Sequence, residues 1–169
     1  AVRLQSGVSL VGSGEDTRLI KEPSVSSPLA VDSDWYDQEI TLQQPGGFRL
    51  GDGVCLRVKE SKTGREIVIK RTLVARSGNR FKLDRPLREN VWQMNNATVS
   101  TLFPLVSGEE IADLRIEHLT LDGNREQNAE LDGNYSGCIF LQDCNRVAIR
   151  HIRALNNHGD GISWQICHD

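Results

Sequence analysis

The sequence predicts an all-β solenoid, a stack of similar coils made of short strands, with a different β-rich segment inserted near its start. Three observations predict it: a repeat in the C-terminal third, apolar residues that alternate with a period of two, and clusters of Gly and Asn between the alternating runs. Together they favour strands joined by sharp corners over helices.

The repeat relates successive stretches of the chain at two spacings. Three positions recur 23 residues later, namely Ile139, Leu141 and Cys144 as Ile162, Trp164 and Cys167. Four positions recur 33 residues later, namely Leu114, Ile116, His118 and Leu119 as Val147, Ile149, His151 and Ile152. The ten extra residues fall in one polar stretch, 125–134, so removing it restores the period of 23. The chain from about Ile111 onward is therefore predicted to form coils of about 23 residues with one expanded loop.

The alternation inside each coil indicates strands, because a strand turns successive side chains to opposite faces. Gly and Asn between the runs, as in Asn156, Asn157 and Gly159, tolerate the left-handed backbone of a sharp corner. The stretch from Val2 to Gly14 has the same character and is predicted to be an earlier coil. A leucine-rich repeat is the alternative, since Ile116 to Asn124 also fits LxxLxLxxN, but no helical periodicity follows it.

The stretch from Asn145 to Cys167 reads NRVAIRHIRALNNHGDGISWQIC. It resembles the coils of the right-handed parallel β-helix family with the pectin-lyase-like fold. The resemblance covers residues 111–169 well and residues 2–20 loosely. It implies a right-handed parallel β-helix, a polysaccharide partner and a secreted or periplasmic location. Since the family includes lyases, hydrolases, epimerases, phage tailspikes and non-catalytic coils, the resemblance is specific for fold and poor for activity.

Between the two coil regions the pattern changes to strands separated by turns such as Lys62-Thr63-Gly64. We therefore predict a first coil over 1–22, an inserted basic β-rich subdomain over 23–105, and further coils over 106–169. The stretch 57–88 carries a net charge of +8 against −11 for the remainder. A polyanion-binding face and an ordinary solvated strand face both explain this excess. Nucleic acid is not an expected partner, because few aromatic residues are interleaved with the basic ones.

Composition excludes several classes of protein. The chain has 169 residues, enough for one domain with an insertion, and no apolar run approaches the roughly 20 residues that span a bilayer. None of the four cysteines forms a CxxC pair, so structural zinc is not expected. The chain begins with Ala1 and stops after Asp169 in the middle of a coil, so we expect the front portion of a longer protein.

Two side-chain ladders follow from the repeat. His118 and His151 occupy the slot in which the family often places an inward stacking Asn, so the resemblance implies a structural stack. Metal ligation by this pair is the alternative, but no carboxylate lies at a fitting position. Cys144 and Cys167 are expected to be small buried residues of an internal ladder rather than a disulfide or a nucleophile.

The candidate catalytic residues lie just before the strand that lines the substrate groove in pectin-lyase-like enzymes. Asp160-Gly161 after Asn157 resembles the polygalacturonase signature Asn-Thr-Asp-Gly, in which Asp is catalytic, although His158-Gly159 replaces the Thr. That departure would displace the carboxylate, and no second carboxylate partner follows. On the resemblance to this signature, Asp160 and His158 are nevertheless the candidate catalytic residues for hydrolysis. A lyase-like elimination would use Arg125 as its base.

Candidate substrate-binding residues border the same groove. Ser163 and Gln165 are predicted to point outward between Ile162 and Trp164 and to contact sugar hydroxyls, with Gln142 on the preceding strand. Glu126 and Asp132 of the expanded loop would wall the groove. Together with Asp122 and Glu130 they would bind Ca²⁺ if the protein were a pectate-lyase-like enzyme, the alternative being a solvated acidic loop.

These residues favour a carbohydrate-active protein that cleaves or modifies an acidic polysaccharide as a lyase or a hydrolase. The alternative is a non-catalytic polysaccharide-binding, tailspike-like or adhesin-like scaffold in which the coils present the basic insertion. The two hypotheses differ in whether a bound polysaccharide is turned over.

Overall fold

The computed structural model describes residues 1–169 and is all-β, with parallel and antiparallel sheets. The chain divides into two compact units. One, here called the parallel unit, contains Ala1–Pro23 and Phe103–Asp169, and the other, the antiparallel unit, contains Ser24–Leu102. The strands in chain order are β1 Val2–Arg3, β2 Ser9–Val11, β3 Arg18–Ile20, β4 Ser26–Pro28, β5 Glu39–Thr41, β6 Gly53–Lys59, β7 Glu66–Ser77, β8 Arg80–Leu83, β9 Thr98–Thr101, β10 Val106–Glu109, β11 Ala112–Asp122, β12 Ile139–Gln142, β13 Asn145–Leu155 and β14 Ile162–Gln165.

The parallel unit contains two parallel sheets. Sheet I has the order β1-β10-β12-β14, and in sheet II β11 lies between β13 on one side and both β2 and β3 on the other. The register confirms both repeats. Ile139 pairs with Ile162 at the spacing of 23, and Ile116 pairs with Ile149 at the spacing of 33.

The core of the parallel unit lies between these sheets, because the alternating apolar residues of both turn inward to one cluster. The buried members are Leu4, Leu105, Val106, Leu114, Ile116, Leu119, Leu121, Cys138, Ile139, Leu141 and Cys144. Burying one such aliphatic side chain contributes roughly 1.5 to 3 kcal/mol. Apolar residues of the outer strands, such as Val147 and Ile162, are only partly buried. Burial is therefore deepest in the middle strands β10, β11 and β12.

Trp164 departs from the inward pattern. It pairs in register with buried Leu141 but is 62% exposed. It borders a cavity of about 310 Å³ whose lining also includes Val147 and Ile149. The strand that carries it, β14, is paired with β12 alone, so one side of the indole stays uncovered.

The corners between strands repeat as faithfully as the strands do. Residues with left-handed backbone stand at matching places, with φ of 53° at Glu110, 52° at Asp143 and 52° at Ile166. A second corner has φ of 60° at Asp113 and 50° at Arg146. Left-handed backbone costs a non-glycine residue about 1 to 2 kcal/mol, so the parallel pairing on either side must hold it.

Of the two cysteines expected to be buried, Cys144 is buried and Cys167 is only partly buried, and all four cysteines are free. Cys144 O accepts a hydrogen bond of 2.9 Å from the backbone N–H of His168, the residue after Cys167. Each thiol contacts the carbonyl oxygen two residues before it, at 3.2 Å for Cys144 and 3.4 Å for Cys167. The two thiols therefore repeat the same local geometry on successive coils.

The histidine ladder differs from the expectation. The rings of His118 and His151 do stack, with centroids 4.6 Å apart and planes 13° from parallel. Both side chains are exposed, however, instead of inward. The reason is the left-handed backbone at each residue, with φ of 56° and 51°, which turns the side chain out of the strand's inner row.

The antiparallel unit is one sheet with the order β4-β9-β6-β7-β8-β5. Its core combines one face of this sheet with loop residues, and the buried members are Leu29, Ile40, Leu42, Phe48, Val54, Leu56, Val58, Ile69, Leu73, Phe81, Leu83, Leu87, Val91, Ala97 and Val99. Strand β8 alternates exposed and buried residues, whereas β6 buries the consecutive residues Val54, Cys55 and Leu56.

A buried lysine lies beside the core of the parallel unit. Lys21 is 2% exposed, and its Nζ lies 5.2 Å from the centroid of the Phe103 ring. Burial, partly opposed by the nearby Cys138, lowers the pKa of Lys21 from 10.5 to about 8. Burial likewise raises the pKa of Cys138 from 9.0 to about 11. An ammonium in this position is stabilised by the aromatic face but lacks most of its hydration.

These two groups set opposite pH dependences. Between pH 8 and 10.5 the unfolded chain retains the Lys21 proton that the folded chain has lost, so the free energy of unfolding rises with pH. Between pH 9 and 11 the folded chain retains the Cys138 proton, so the free energy of unfolding falls. The net effect is a rise confined to the interval between pH 8 and 9.

We expect Lys21→Met to raise the free energy of unfolding at pH 7 by about 2 kcal/mol, because it removes a buried charge and sacrifices only the cation–π contact. The variant should also lose the rise between pH 8 and 9. Urea unfolding from pH 7 to 10.5 measures both. Cys138→Ala is the control: above pH 9 its free energy of unfolding should fall less, relative to its value at pH 9, than that of the wild-type chain, because one thiol with a raised pKa is removed. A wild-type profile that is flat between pH 8 and 9 would contradict the argument.

We expect Ile166→Asn to raise the free energy of unfolding by about 1 kcal/mol, because a β-branched residue is strained at φ of 52° and Asn tolerates that backbone. The isoleucine is 64% exposed, so little apolar burial is lost. Val11→Asn is the matched control, since Val11 is 53% exposed within a regular strand, where Asn is disfavoured. Thermal unfolding measures both, and a loss of stability in Ile166→Asn would count against corner strain.

Candidate functional site

The outer face of sheet I carries two rows of side chains in register across its strands. Pairing of Arg3 with Ser107, Ser107 with Phe140, and Phe140 with Ser163 forms the first row. Pairing of Glu109 with Gln142 and of Gln142 with Gln165 forms the second row. The intervening residues turn inward to the core cluster. We call these two rows, with Tyr135 at their border, the sheet I face.

The loop between β11 and β12 lies over part of this face. It contains two 3₁₀ turns, Arg125–Gln127 and Asn134–Ser136. The Tyr135 ring packs at 5.5 Å and 57° against the Phe140 ring. Phe140 is 8% exposed although it points away from the core, whereas Tyr135 is 36% exposed. The loop therefore leaves one aromatic ring accessible at the border of the sheet I face.

Ser163 differs from the expectation that its side chain points outward and contacts sugar hydroxyls. Its side chain does not present a hydroxyl to solvent, because Oγ is buried and has no hydrogen-bond partner. Its neighbour in the row is the bulky Phe140, which lies in register on the next strand. A buried hydroxyl without a partner is uncommon in proteins and marks a place where a further polar group would be stabilising.

Two glutamine side chains of the sheet I face remain accessible to a ligand. Gln142 is half-buried, Gln165 is exposed, and the two are register partners on β12 and β14. Each amide offers donors and an acceptor, and in-register side chains on adjacent strands stand about 4.8 Å apart. This spacing suits contacts to successive hydroxyl groups along an extended sugar chain.

The structure brings two of the three proposed catalytic residues into contact, but not through their reactive groups. His158 Nε2 lies 3.0 Å from the backbone oxygen of Arg125, so the guanidinium does not take part in this contact. Asp160 is exposed and is held by its backbone, whose N–H donates to Gly133 O at 3.2 Å. His158 and Asp160 thus both border the expanded loop.

The residue one coil before Asp160 is Gly137, 23 positions earlier. A Cβ added at Gly137 would lie 1.8 Å from the backbone oxygen of Asp160, so only glycine fits there. The coil adjacent to Asp160 therefore places no side chain, and no carboxylate, at the matching position.

The acidic residues of the expanded loop do not assemble into a cation site. Glu126 and Asp132 are both exposed. The structure contains no group of three or more His, Cys, Asp or Glu side chains that could hold a metal ion. The residues present therefore do not fit the calcium site that a pectate-lyase-like elimination would need.

Asp122, which sequence reasoning placed among possible Ca²⁺ ligands, instead links neighbouring coils. Its Oδ1 accepts hydrogen bonds from Asn156 Nδ2 at 3.2 Å and from the backbone N–H of Asn124 at 3.0 Å. Its Oδ2 lies 3.8 Å from Arg18 Nη1 on β3. Asp122 is only 9% exposed, so these contacts compensate a largely buried carboxylate.

Three arginines of the antiparallel unit make structural contacts. Arg57 pairs with Glu66 at 2.7 Å, and Arg80 pairs with Glu39 at 3.4 Å. The Arg71 guanidinium donates to Pro86 O at 3.0 Å from Nε and at 2.6 Å from Nη2. The guanidinium groups of Arg57, Arg71 and Arg80 are thus held by contacts within this unit.

No helix in the structure has the length and apolar character to cross a membrane. No protein-family model matches the sequence, and no curated protein matches it. Solved structures do match, among them three phage tailspikes. The gp54 tailspike of Acinetobacter baumannii bacteriophage AP22, in complex with A. baumannii capsular saccharide, is 14% identical, with a TM-score of 0.43 over 83% of this chain and 29% of its own.

The other two tailspikes come from Pseudomonas phages. Gp61 of phage phi297 is 14% identical, with a TM-score of 0.43 over 98% of this chain and 33% of its own. Gp49 of phage LKA1 is 10% identical, with a TM-score of 0.38 over 98% of this chain and 40% of its own. The present chain thus spans less than half the length of each of the three.

We expect Asp122→Ala to lower the free energy of unfolding by about 2 kcal/mol, because Asn156 and the Asn124 N–H would lose their charged acceptor. Asp132→Ala is the matched control, since this exposed loop carboxylate should change stability by less than about 0.5 kcal/mol. Urea unfolding of the three proteins measures the difference. Equal stability of the two variants would show that Asp122 does not fasten the coils.

Proposed function

We propose that the parallel unit is a segment of a right-handed parallel β-helix whose sheet I face binds a polysaccharide without cleaving it. The observation that carries this proposal is the in-register outer row of Glu109, Gln142 and Gln165 beside the accessible Tyr135 ring. Binding to polysaccharide would place the protein outside the cytoplasm, in a secreted or periplasmic location or on a phage or cell surface.

The β-helix assignment is supported by the repetition of strands and corners. Parallel pairing at spacings of 23 and 33 residues, with left-handed corners at matching positions, is the arrangement of stacked coils. A right-handed path agrees with the strong preference of parallel strand crossovers for that hand. The family resemblance of residues 145–167 points to the same architecture.

The binding assignment is supported by the chemistry of the face. Sugar rings present hydroxyl groups at their edges and apolar C–H groups on their faces, so a binding site combines amides with an aromatic ring. Gln142 and Gln165 provide the amides, and Tyr135 provides the ring. The face carries one arginine and one glutamate, Arg3 and Glu109, so a preference for acidic over neutral sugars stays a prediction.

The non-catalytic form is favoured by the surroundings of Asp160. Glycoside hydrolysis ordinarily uses two carboxylates about 5 to 10 Å apart across the scissile bond. The coil next to Asp160 presents Gly137 at the matching place, and the contact between His158 and Arg125 uses a backbone oxygen. The register position beside Asp160 thus holds no carboxylate, and the contact of His158 brings no side-chain base to it.

We expect the full chain to bind at least one of polygalacturonate, alginate and dextran, and the double variant Tyr135→Ala/Gln165→Ala to weaken that binding at least about tenfold. The reason is the loss of one aromatic contact and one hydrogen-bonding amide, each contributing about 1 kcal/mol. Affinity electrophoresis in gels containing each polymer measures retardation. The matched control is Tyr36→Ala/Gln93→Ala, which alters two exposed residues of the antiparallel unit and should leave retardation unchanged.

Incubation of the same polymers with the wild-type chain tests the absence of turnover. Retardation without new reducing ends and without unsaturated uronate supports the proposal. Reducing ends or unsaturated uronate that disappear in Asp160→Asn would instead establish cleavage and overturn the non-catalytic assignment.

A further inference from the structure

Two loops of the antiparallel unit present large apolar side chains to solvent. Residues 31–37 and 87–94 run side by side, because Ser33 and Val91 form an antiparallel bridge. Single apolar residues are ordinary at a protein surface, whereas several together mark an interaction site. The large apolar residues that these loops expose are Val31, Trp35, Tyr36 and Met94. We call this set, with the half-buried Trp92, the aromatic surface.

Hydrogen bonds between the loops hold the aromatic surface in shape. The backbone N–H groups of Ser33 and Val91 each donate to the other residue's carbonyl oxygen, at 3.0 and 2.8 Å. The Arg88 N–H donates to Trp35 O at 2.9 Å, and the Trp35 N–H donates to Asn90 Oδ1 at 3.1 Å. A surface that is fixed before a partner arrives loses less conformational entropy on binding.

Three exposed aspartates of the first loop border the aromatic surface. Asp32 Oδ1 accepts a hydrogen bond of 2.7 Å from the backbone N–H of Gln93. Asp34 Oδ1 accepts one of 3.3 Å from the Trp92 indole N–H. Asp37 Oδ2 accepts one of 2.7 Å from the backbone N–H of Asp34. The carboxylates are therefore fixed next to the aromatic rings.

The aromatic surface differs in charge from the rest of its unit. Residues 31–37 and 87–94 contain three aspartates, one glutamate and one arginine, a net charge of −3. The rest of the antiparallel unit contains eleven basic and five acidic residues, a net charge of +6. Carboxylates beside aromatic rings attract a cationic partner, because both the negative charge and the ring faces favour a cation. The same negative charge disfavours an acidic polysaccharide.

Arginine fits this combination better than lysine, because its guanidinium group is planar, weakly hydrated and able to stack on a ring while it donates to a carboxylate. The antiparallel unit already contains a contact of this kind, since Arg76 Cζ lies 4.9 Å from the centroid of the Phe81 ring. We propose that the aromatic surface binds an arginine-rich segment of a partner protein, with guanidinium groups stacked on Trp35 and Tyr36 and paired with the aspartates. This inference is independent of polysaccharide binding.

NMR titration of the nitrogen-15-labelled full chain with a capped peptide of four Gly-Arg repeats tests the proposal. The chain has three tryptophans, so the spectrum has three indole N–H signals. We expect saturable shifts of the Trp35 and Trp92 signals, no shift of the Trp164 signal, and weaker binding at higher salt. Capped peptides of four Gly-Gln and four Gly-Glu repeats are the matched control ligands and should shift none of the three signals.

Variants separate the rings from the charges. Trp35→Ala/Tyr36→Ala should weaken peptide binding at least about tenfold, because it removes both stacking faces. Asp32→Asn/Asp34→Asn should weaken it at least about threefold, because it removes two charges but keeps an oxygen acceptor at each position and so preserves the loops.

Trp164→Ala/Tyr135→Ala is the matched control variant, since it removes the same residue types from the parallel unit and should leave peptide binding unchanged. The proposal is overturned by the absence of saturable binding, by equal binding of the Gly-Gln peptide, or by equal weakening in the control variant. Loss of polymer retardation in Tyr36→Ala/Gln93→Ala would also overturn it, because the surface would then bind saccharide. A dimer of the chain that dissociates in Trp35→Ala/Tyr36→Ala would overturn it in favour of a second copy.

Discussion

Parallel backbone pairing between successive coils is the constraint on which the parallel unit depends. Ile116 pairs with Ile149, and Ile139 pairs with Ile162. The neighbouring positions of these strands therefore also lie beside their counterparts on the next coil. The pairing aligns apolar residues into one core and polar residues into outer rows. It also forces the chain to turn at matching positions, even where the residue is not glycine and the backbone is strained.

Much of this arrangement can be predicted from the sequence, because the spacing of a repeat determines which residues of successive coils pair. The offsets of 23 and 33 residues predict the strand partners, and the period of two predicts which side chains face inward. What the repeat does not encode is the orientation of a corner residue. His118 and His151 match in sequence as an inward ladder would, but their left-handed backbone turns both rings outward.

The surroundings of the candidate site were less predictable. The position of Ser163 between Ile162 and Trp164 predicts an exposed hydroxyl, yet its Oγ is buried, and its register partner on the next strand is the bulky Phe140. Tyr135 was not identified from the sequence, since its role depends on how a loop folds over a neighbouring strand. Asp122 was assigned to a possible cation cluster, whereas its contacts to Asn156 and Arg18 come from a neighbouring strand on either side. Each of these depends on contacts distant in the chain, which no local pattern records.

The gradient of burial across the stack has a mechanical consequence. Strands β10, β11 and β12 have neighbours on both sides, while β13 and β14 are paired along one edge and keep partly uncovered apolar residues. Amide protons of the outer strands should therefore exchange with solvent well before those of the middle ones. In mild denaturant the outer strands should therefore open before the middle ones.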